Sequence, residues 1–321
     1  MQKYTYVLLI GLASASLMMS PIGLPGIPFQ SRVLAQGAST TAVITPTPTD
    51  QAFELKRLAD DKFGQSQFAA SIELYKQALD AEKKLGNQSR AAQILQQMGA
   101  TYVLLKNDNQ ALDAYQQASV IYKNLKDPEE AEALYHSGEV YTNLHQYDKA
   151  IAAYQKSLAL QKKPETRLRG NALYKLGIAY EQTGQPDKAL SAYQPAVLIQ
   201  KNFFDRVALS DTLIRVGTIY QKKKQYPKAL EAFQQALTVK RETFSQFGQQ
   251  QMYNKIAQVY LQLNEPSKAL ESYEQALKIA RAIKDRKGEK VILTSLGTIY
   301  EKVGQKTKAS EALKQAEALG G

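Results

Sequence analysis

Apolar and small residues in this chain recur in two alternating patterns. Stretches of the form L-x-x-L-G-x-x-Y, as in Leu173, Leu176, Gly177 and Tyr180, are followed by stretches of the form A-L-x-x-Y-x-x-A-L, as in Ala229, Leu230, Phe233, Ala236 and Leu237. Steps of three and four put each set on one face of a helix, with polar residues on the other. The chain is therefore predicted to form pairs of amphipathic helices. Turn residues between the two stripes, at Gly184, Gly304, Asn264 and Asn107, tolerate a left-handed backbone. Pro186, Pro227 and Pro266 fall at the start of second helices, where a missing N–H costs nothing.

The pairs keep a fixed register. A small residue recurs at Ala59, Gly99, Gly138, Gly177, Gly217, Ala257 and Gly297, with spacings of 40, 39, 39, 40, 40 and 40. Three residues later stands a tyrosine in every unit but the first, which has Lys62. Sixteen residues after the small slot comes a ring or a leucine: Tyr75, Tyr115, Tyr154, Tyr193, Phe233, Tyr273 and Leu313. Small slots let two helix backbones approach, and the large slot fills the remaining space. A period of this kind means a solenoid whose units bury their faces only by stacking.

These motifs resemble the tetratricopeptide repeat family over about residues 51 to 319, in the branch with longer repeats of some 40 residues. The resemblance implies an all-α, right-handed superhelical solenoid of seven repeats, which we place at residues 51–321. It implies a protein-binding scaffold whose first helices line a concave groove. Carried over by phase, the groove stripe contains Gln96, Tyr135, Glu139, Tyr174, Ile178, Glu181, Ile214, Thr218, Gln221, Asn254 and Gln258. With Lys56, Asp60, Glu301 and the uncharged remainder, its 21 positions hold one base and four acids. Tyr135 and Tyr174 stand out as aromatic anchors for a partner. The lysine–asparagine clamp by which chaperone-binding members hold acidic C-terminal tails is absent, because Gln96 with Ala100, Tyr135 with Glu139 and Tyr174 with Ile178 occupy its slots.

Charge changes this picture in one respect. The chain carries a formal +11, yet the stripe is neutral to slightly acidic. The bases lie at helix ends and joins, with local clusters at Lys222, Lys223 and Lys224 and at Arg286 and Lys287. Phosphate tracking would need bases in the groove, so nucleic acid is disfavoured as a partner. A peripheral role on anionic membrane or acidic polymer, through these basic edges, is the alternative to groove binding. A monomer is favoured.

No catalytic constellation, phosphate loop or zinc-protease helix is present, and there is no cysteine, so the reading is of a non-enzyme without metal or cofactor. Residues 1–35 combine Lys3, an apolar run and Val33-Leu34-Ala35, the pattern of a cleaved signal peptide, with an uncleaved membrane anchor as the alternative. Export to a periplasm or the exterior is expected. Residues 36–50 read as a Ser/Thr/Pro-rich spacer ending at Asp50, which is placed to cap the first helix. Pro195 falls inside a second helix and is expected to kink it.

Overall fold

The computed structural model describes residues 47–319, helices joined by tight turns and, at 161–166, by a longer irregular stretch. The signal-peptide reading and most of the spacer lie outside the described residues. Among those described, no helix is long and apolar enough to cross a membrane.

Fourteen helices form seven consecutive pairs among the described residues. Repeat 1 is α1 (Pro48–Gly64) and α2 (Phe68–Lys84), and repeat 2 is α3 (Gln88–Leu104) and α4 (Asp108–Leu125). Repeat 3 is α5 (Glu130–Asn143) and α6 (Tyr147–Leu160), and repeat 4 is α7 (Arg167–Gln182) and α8 (Pro186–Asn202). Repeat 5 is α9 (Arg206–Lys222) and α10 (Tyr226–Glu242), and repeat 6 is α11 (Gln246–Gln262) and α12 (Pro266–Ala282). Repeat 7 is α13 (Arg286–Lys302) and α14 (Lys306–Ala318). Each helix packs on the next, so the array is the expected all-α solenoid of seven repeats.

The register residues explain why neighbours fit. A methyl group added at Gly138 would come within 2.6 Å of the Tyr154 ring, one at Gly217 within 2.6 Å of Phe233, and one at Gly99 within 2.8 Å of Tyr115. Glycine is thus the slot into which the second helix lays its ring. Tyr154, Tyr193 and Phe233 are wholly buried as a result. Repeat 1 packs more thinly: only Ala52 and Ala59 are buried on α1, where α3 buries eight residues.

The turns follow a strict register. Seven residues after each small slot the backbone is left-handed, at Ser66, Lys106, His145, Gly184, Lys224, Asn264 and Gly304. Three of the four expected turn residues hold. Asn107 does not: its φ is −96°, and Lys106 takes the left-handed position one residue earlier. The hydrogen-bonding pattern sets the site of reversal here, against the asparagine preference. At the chain's first helix, Thr47 is the cap and Asp50 completes a capping box from inside α1, so the helix begins at Pro48, earlier than the spacer boundary implies.

Pro195 does not break α8, which runs 17 residues from Pro186 to Asn202, as long as α9 and α10. The helix continues through it with one backbone N–H absent. Beside it, Val197, Leu198, Leu213 and Val216 line an open apolar cleft of about 530 Å³ between α8, α9 and α10.

Candidate functional site

The antiparallel pairing gives the solenoid two edges, one holding the turns within repeats and one holding the joins between them. Lys222 ends α9 and Lys223 and Lys224 form the turn into α10, whereas Arg286 and Lys287 open α13 on the join edge. The two basic clusters therefore do not form one surface. Lys223 is moreover tied to Asp187 in an ion pair.

First helices lie side by side and contact each other directly. Lys175 of α7 reaches Glu139 of α5 at 2.9 Å, and Arg215 of α9 reaches Glu181 of α7 at 3.1 Å. Both cations stand two residues before the small slot, a position the stripe omits. Through repeats 3 to 6 that slot holds His136, Lys175, Arg215 and Lys255, flanked by Gln97 in repeat 2 and Ser295 in repeat 7. A column of bases thus runs beside the acids, and the expectation of a slightly acidic groove is corrected. Their spacing of 39, 40 and 40 residues is the signal in the sequence that could have revealed the column.

The column is internally neutralised as far as repeat 5. His136 lies between Glu132 at 3.6 Å and Glu139 at 3.1 Å. Burial works against its charge, but the two carboxylates outweigh burial and hold the imidazolium up to about 9. Burial likewise opposes the Glu139 charge, and His136 and Lys175 overcome it, lowering the carboxyl to about 2. In repeat 4 the Tyr193 hydroxyl donates to Glu181, which also accepts from Arg215. The Arg215 guanidinium lies over the Tyr174 ring, 5.9 Å from its centre.

One repeat further on, each member of this set is replaced. Phe233 stands for Tyr193, Gln221 for Glu181 and Lys255 for Arg215. Thr218 occupies the slot that Glu139 fills two repeats earlier. Lys255 lies over the Phe233 ring at 5.4 Å, and among the described residues it forms no ion pair. Burial lowers its ammonium below the usual lysine value, with no opposing carboxylate. Beside it, the Asn254 Oδ1 is buried and accepts no hydrogen bond from the described residues. Gln258, one turn along α11, is exposed.

The remaining stripe residues are used inside the fold to differing degrees. Gln96 accepts from the Tyr122 hydroxyl at 2.8 Å, the Thr218 hydroxyl donates to the Ile214 carbonyl, and Gln221 donates to Gln262. Ile178 and Ile214 are half-buried against the core. Tyr135 is only 8 % exposed, its ring packed on Tyr154 and His136, so it is a core residue and not an open anchor. Tyr174 is half-buried between Tyr193 and Arg215. Tyrosine in this chain is a packing residue, and the polar slots beside it distinguish one repeat from the next.

The family model described as tetratricopeptide repeat matches residues 51–124, 129–202, 168–242, 208–282 and 248–319. Among solved structures, the chain resembles a signal transduction ATPase with a tetratricopeptide repeat sensor from Pyrococcus horikoshii, with 17 % identity and a TM-score of 0.65 over 84 % of this chain and 42 % of that one. It also resembles the apo form of RapI, with 13 % identity and a TM-score of 0.56 over 84 % of this chain and 97 % of that one. MamA aligns with 26 % identity and a TM-score of 0.48 over 58 % of this chain and 95 % of that one. No curated protein matches the chain.

Proposed function

Because the chain belongs to the tetratricopeptide repeat family, whose members generally mediate protein–protein interaction, we propose that it is a non-catalytic scaffold holding an extended segment of a partner protein along its first helices. The partner contributes an acidic side chain at Lys255 and a backbone N–H at Asn254. We place this scaffold outside the cytoplasm, in the assembly of an envelope or membrane complex, on the strength of the signal-like residues 1–35.

The observation that carries the groove reading is the unmatched Lys255. Repeats 3 to 5 satisfy their own cations through Glu139 and Glu181. In repeat 6 the same slot is half-buried, positively charged and unpaired, next to a buried acceptor without a donor. A half-buried cation gains most when a carboxylate replaces its lost water. An extended peptide supplies both an acid and regularly spaced N–H groups.

The test is selection from a random peptide library on the intact protein. Recovered peptides should share an aspartate or glutamate and lose binding to the Gln221→Glu variant, whose own carboxylate occupies Lys255. Peptides without a common acid, or binding indifferent to Gln221→Glu, would refute the assignment. N-terminal sequencing of the mature protein tests export: a first residue near Gln36 is expected, and an intact Met1 speaks against cleavage.

A further inference from the structure

Five of the six joins between repeats place a left-handed residue twenty-seven positions after the small slot; the longer join before α7 does not. Gly86 meets this need without strain, and Lys126 and Lys284 meet it with flexible side chains. In the joins before α9 and α11 the residue is phenylalanine, Phe204 at φ 55° and Phe244 at φ 52°. A bulky side chain in this region is a true outlier, and such strain persists where something compensates for it. Packing does not compensate here. Phe204 is 75 % exposed and Phe244 87 %, and Val207 and Phe247, three residues after each, are 70 % and 54 % exposed.

The surroundings are cationic. Residues 201–207, 240–247 and 281–290 together hold nine bases and four acids, and each acid is already engaged. Asp205 and Asp285 cap α9 and α13, Glu242 pairs with Arg206 at 3.2 Å, and Glu289 pairs with Arg281 at 2.7 Å. Lys201, Lys284 and Arg286 are exposed and unpaired among the described residues. The join edge of repeats 5 to 7 thus presents phenylalanine knobs among free bases.

We infer that this edge docks on an anionic phospholipid bilayer, with Phe204 and Phe244 entering the acyl boundary and the lysines and arginines meeting the headgroups. The knobs stand on separate corners one repeat apart, with Arg206 lying over the Phe204 ring between them. A protein hot spot needs an aromatic closed into a desolvated pocket. Hydrocarbon needs only protruding apolar groups and an electrostatic attraction, and one kind of signal without the other binds marginally. The inference is independent of the groove, which lies along the first helices and leaves this edge free.

The chain contains no tryptophan, so a single Phe204→Trp or Phe244→Trp substitution in the full-length protein is a site-specific reporter. With phosphatidylglycerol vesicles its emission should shift to the blue, and brominated acyl chains should quench it by about two-fold or more. Phosphatidylcholine vesicles should give neither effect, and Tyr226→Trp on the turn edge should remain unquenched. Lys201→Glu with Lys284→Glu and Arg286→Glu should abolish the quenching. Phe204→Gly should not lower the thermal midpoint, since it relieves the backbone. A tryptophan at 204 and 244 that stays in water on anionic vesicles overturns the inference, including the case where the protein is held only through its N-terminal apolar run. Equal quenching at Tyr226→Trp, or a destabilised Phe204→Gly, overturns it as well.

Discussion

Deprotonating His136 should weaken the third repeat over a defined pH window. Its imidazolium is held up to about 9 because burial, which disfavours the charge, is outweighed by Glu132 and Glu139. In an unfolded chain a histidine has a pKa of 6.5. Between these two values the folded state binds a proton that the unfolded state has lost, so stability falls as pH rises. The contribution is complete below about pH 6.5 and gone once pH passes about 9. A gap of about 2.5 pH units at about 1.4 kcal/mol each comes to between about 3 and 4 kcal/mol before screening. The ring is 19 % exposed and Glu139 21 %, but Glu132 is 47 % exposed and solvent screens its share, which brings the contribution to about 3 kcal/mol or less. The chain has two histidines, His136 and His145, which makes ring-proton NMR a clean assay. Chemical unfolding of the wild type and of His136→Gln at about pH 6 and about pH 9.5 supplies the energy. The variant should be weaker by up to about 3 kcal/mol at the lower pH and nearly equal at the higher. Amide hydrogen exchange in α5 localises the loss, since an array of repeats need not unfold as one unit. A His136 titration at or below 6.5, or a stability difference that ignores pH, would mean that Glu132 and Glu139 do not hold its proton.

Other outcomes follow from the same geometry. Gln221→Glu should restore a carboxylate beside Lys255 and raise stability by about 0.5–1 kcal/mol, an ordinary value for a half-exposed pair, as read by denaturant midpoint. Gly138→Val should cost at least about 2 kcal/mol by driving the Tyr154 ring out of its slot, while Gly64→Ala, with nothing within 4 Å, should gain up to about 1 kcal/mol of helix propensity. Pro195→Ala should return a backbone N–H to the middle of α8 and raise the thermal midpoint, by about 1–3 kcal/mol in stability.

The architecture was legible because packing imposes the same demand on every unit. A glycine that must admit a ring, and the ring that fills it, recur at fixed distances, so Gly138 with Tyr154 or Gly217 with Phe233 could be paired by counting. The turns were nearly as plain, and Asn107 misled only because residue preference pointed one position away from the hydrogen-bonded reversal at Lys106. The groove was harder for the opposite reason. Function resides where the units differ, and His136, Lys175, Arg215 and Lys255 share a slot without sharing a side chain. A search for recurring residues passes over such a slot, and a search for aromatic anchors chose Tyr135, which the core consumes. Which acid serves which base depends on a contact from one repeat to the next. Phe204 and Phe244 were hidden among ordinary join residues because their backbone conformation, not their identity, makes them unusual.

The most direct test of the central claim is the titration of the Lys255 ε-ammonium, followed by carbon NMR of its side chain in the free protein and with an acidic peptide recovered by library selection. The free value should lie below that of ordinary lysine and rise on adding the peptide, as a partner carboxylate takes the place that Gln221 leaves without charge. A Lys255 that already titrates like any exposed lysine, or that does not respond to a peptide bound elsewhere on the array, would contradict it.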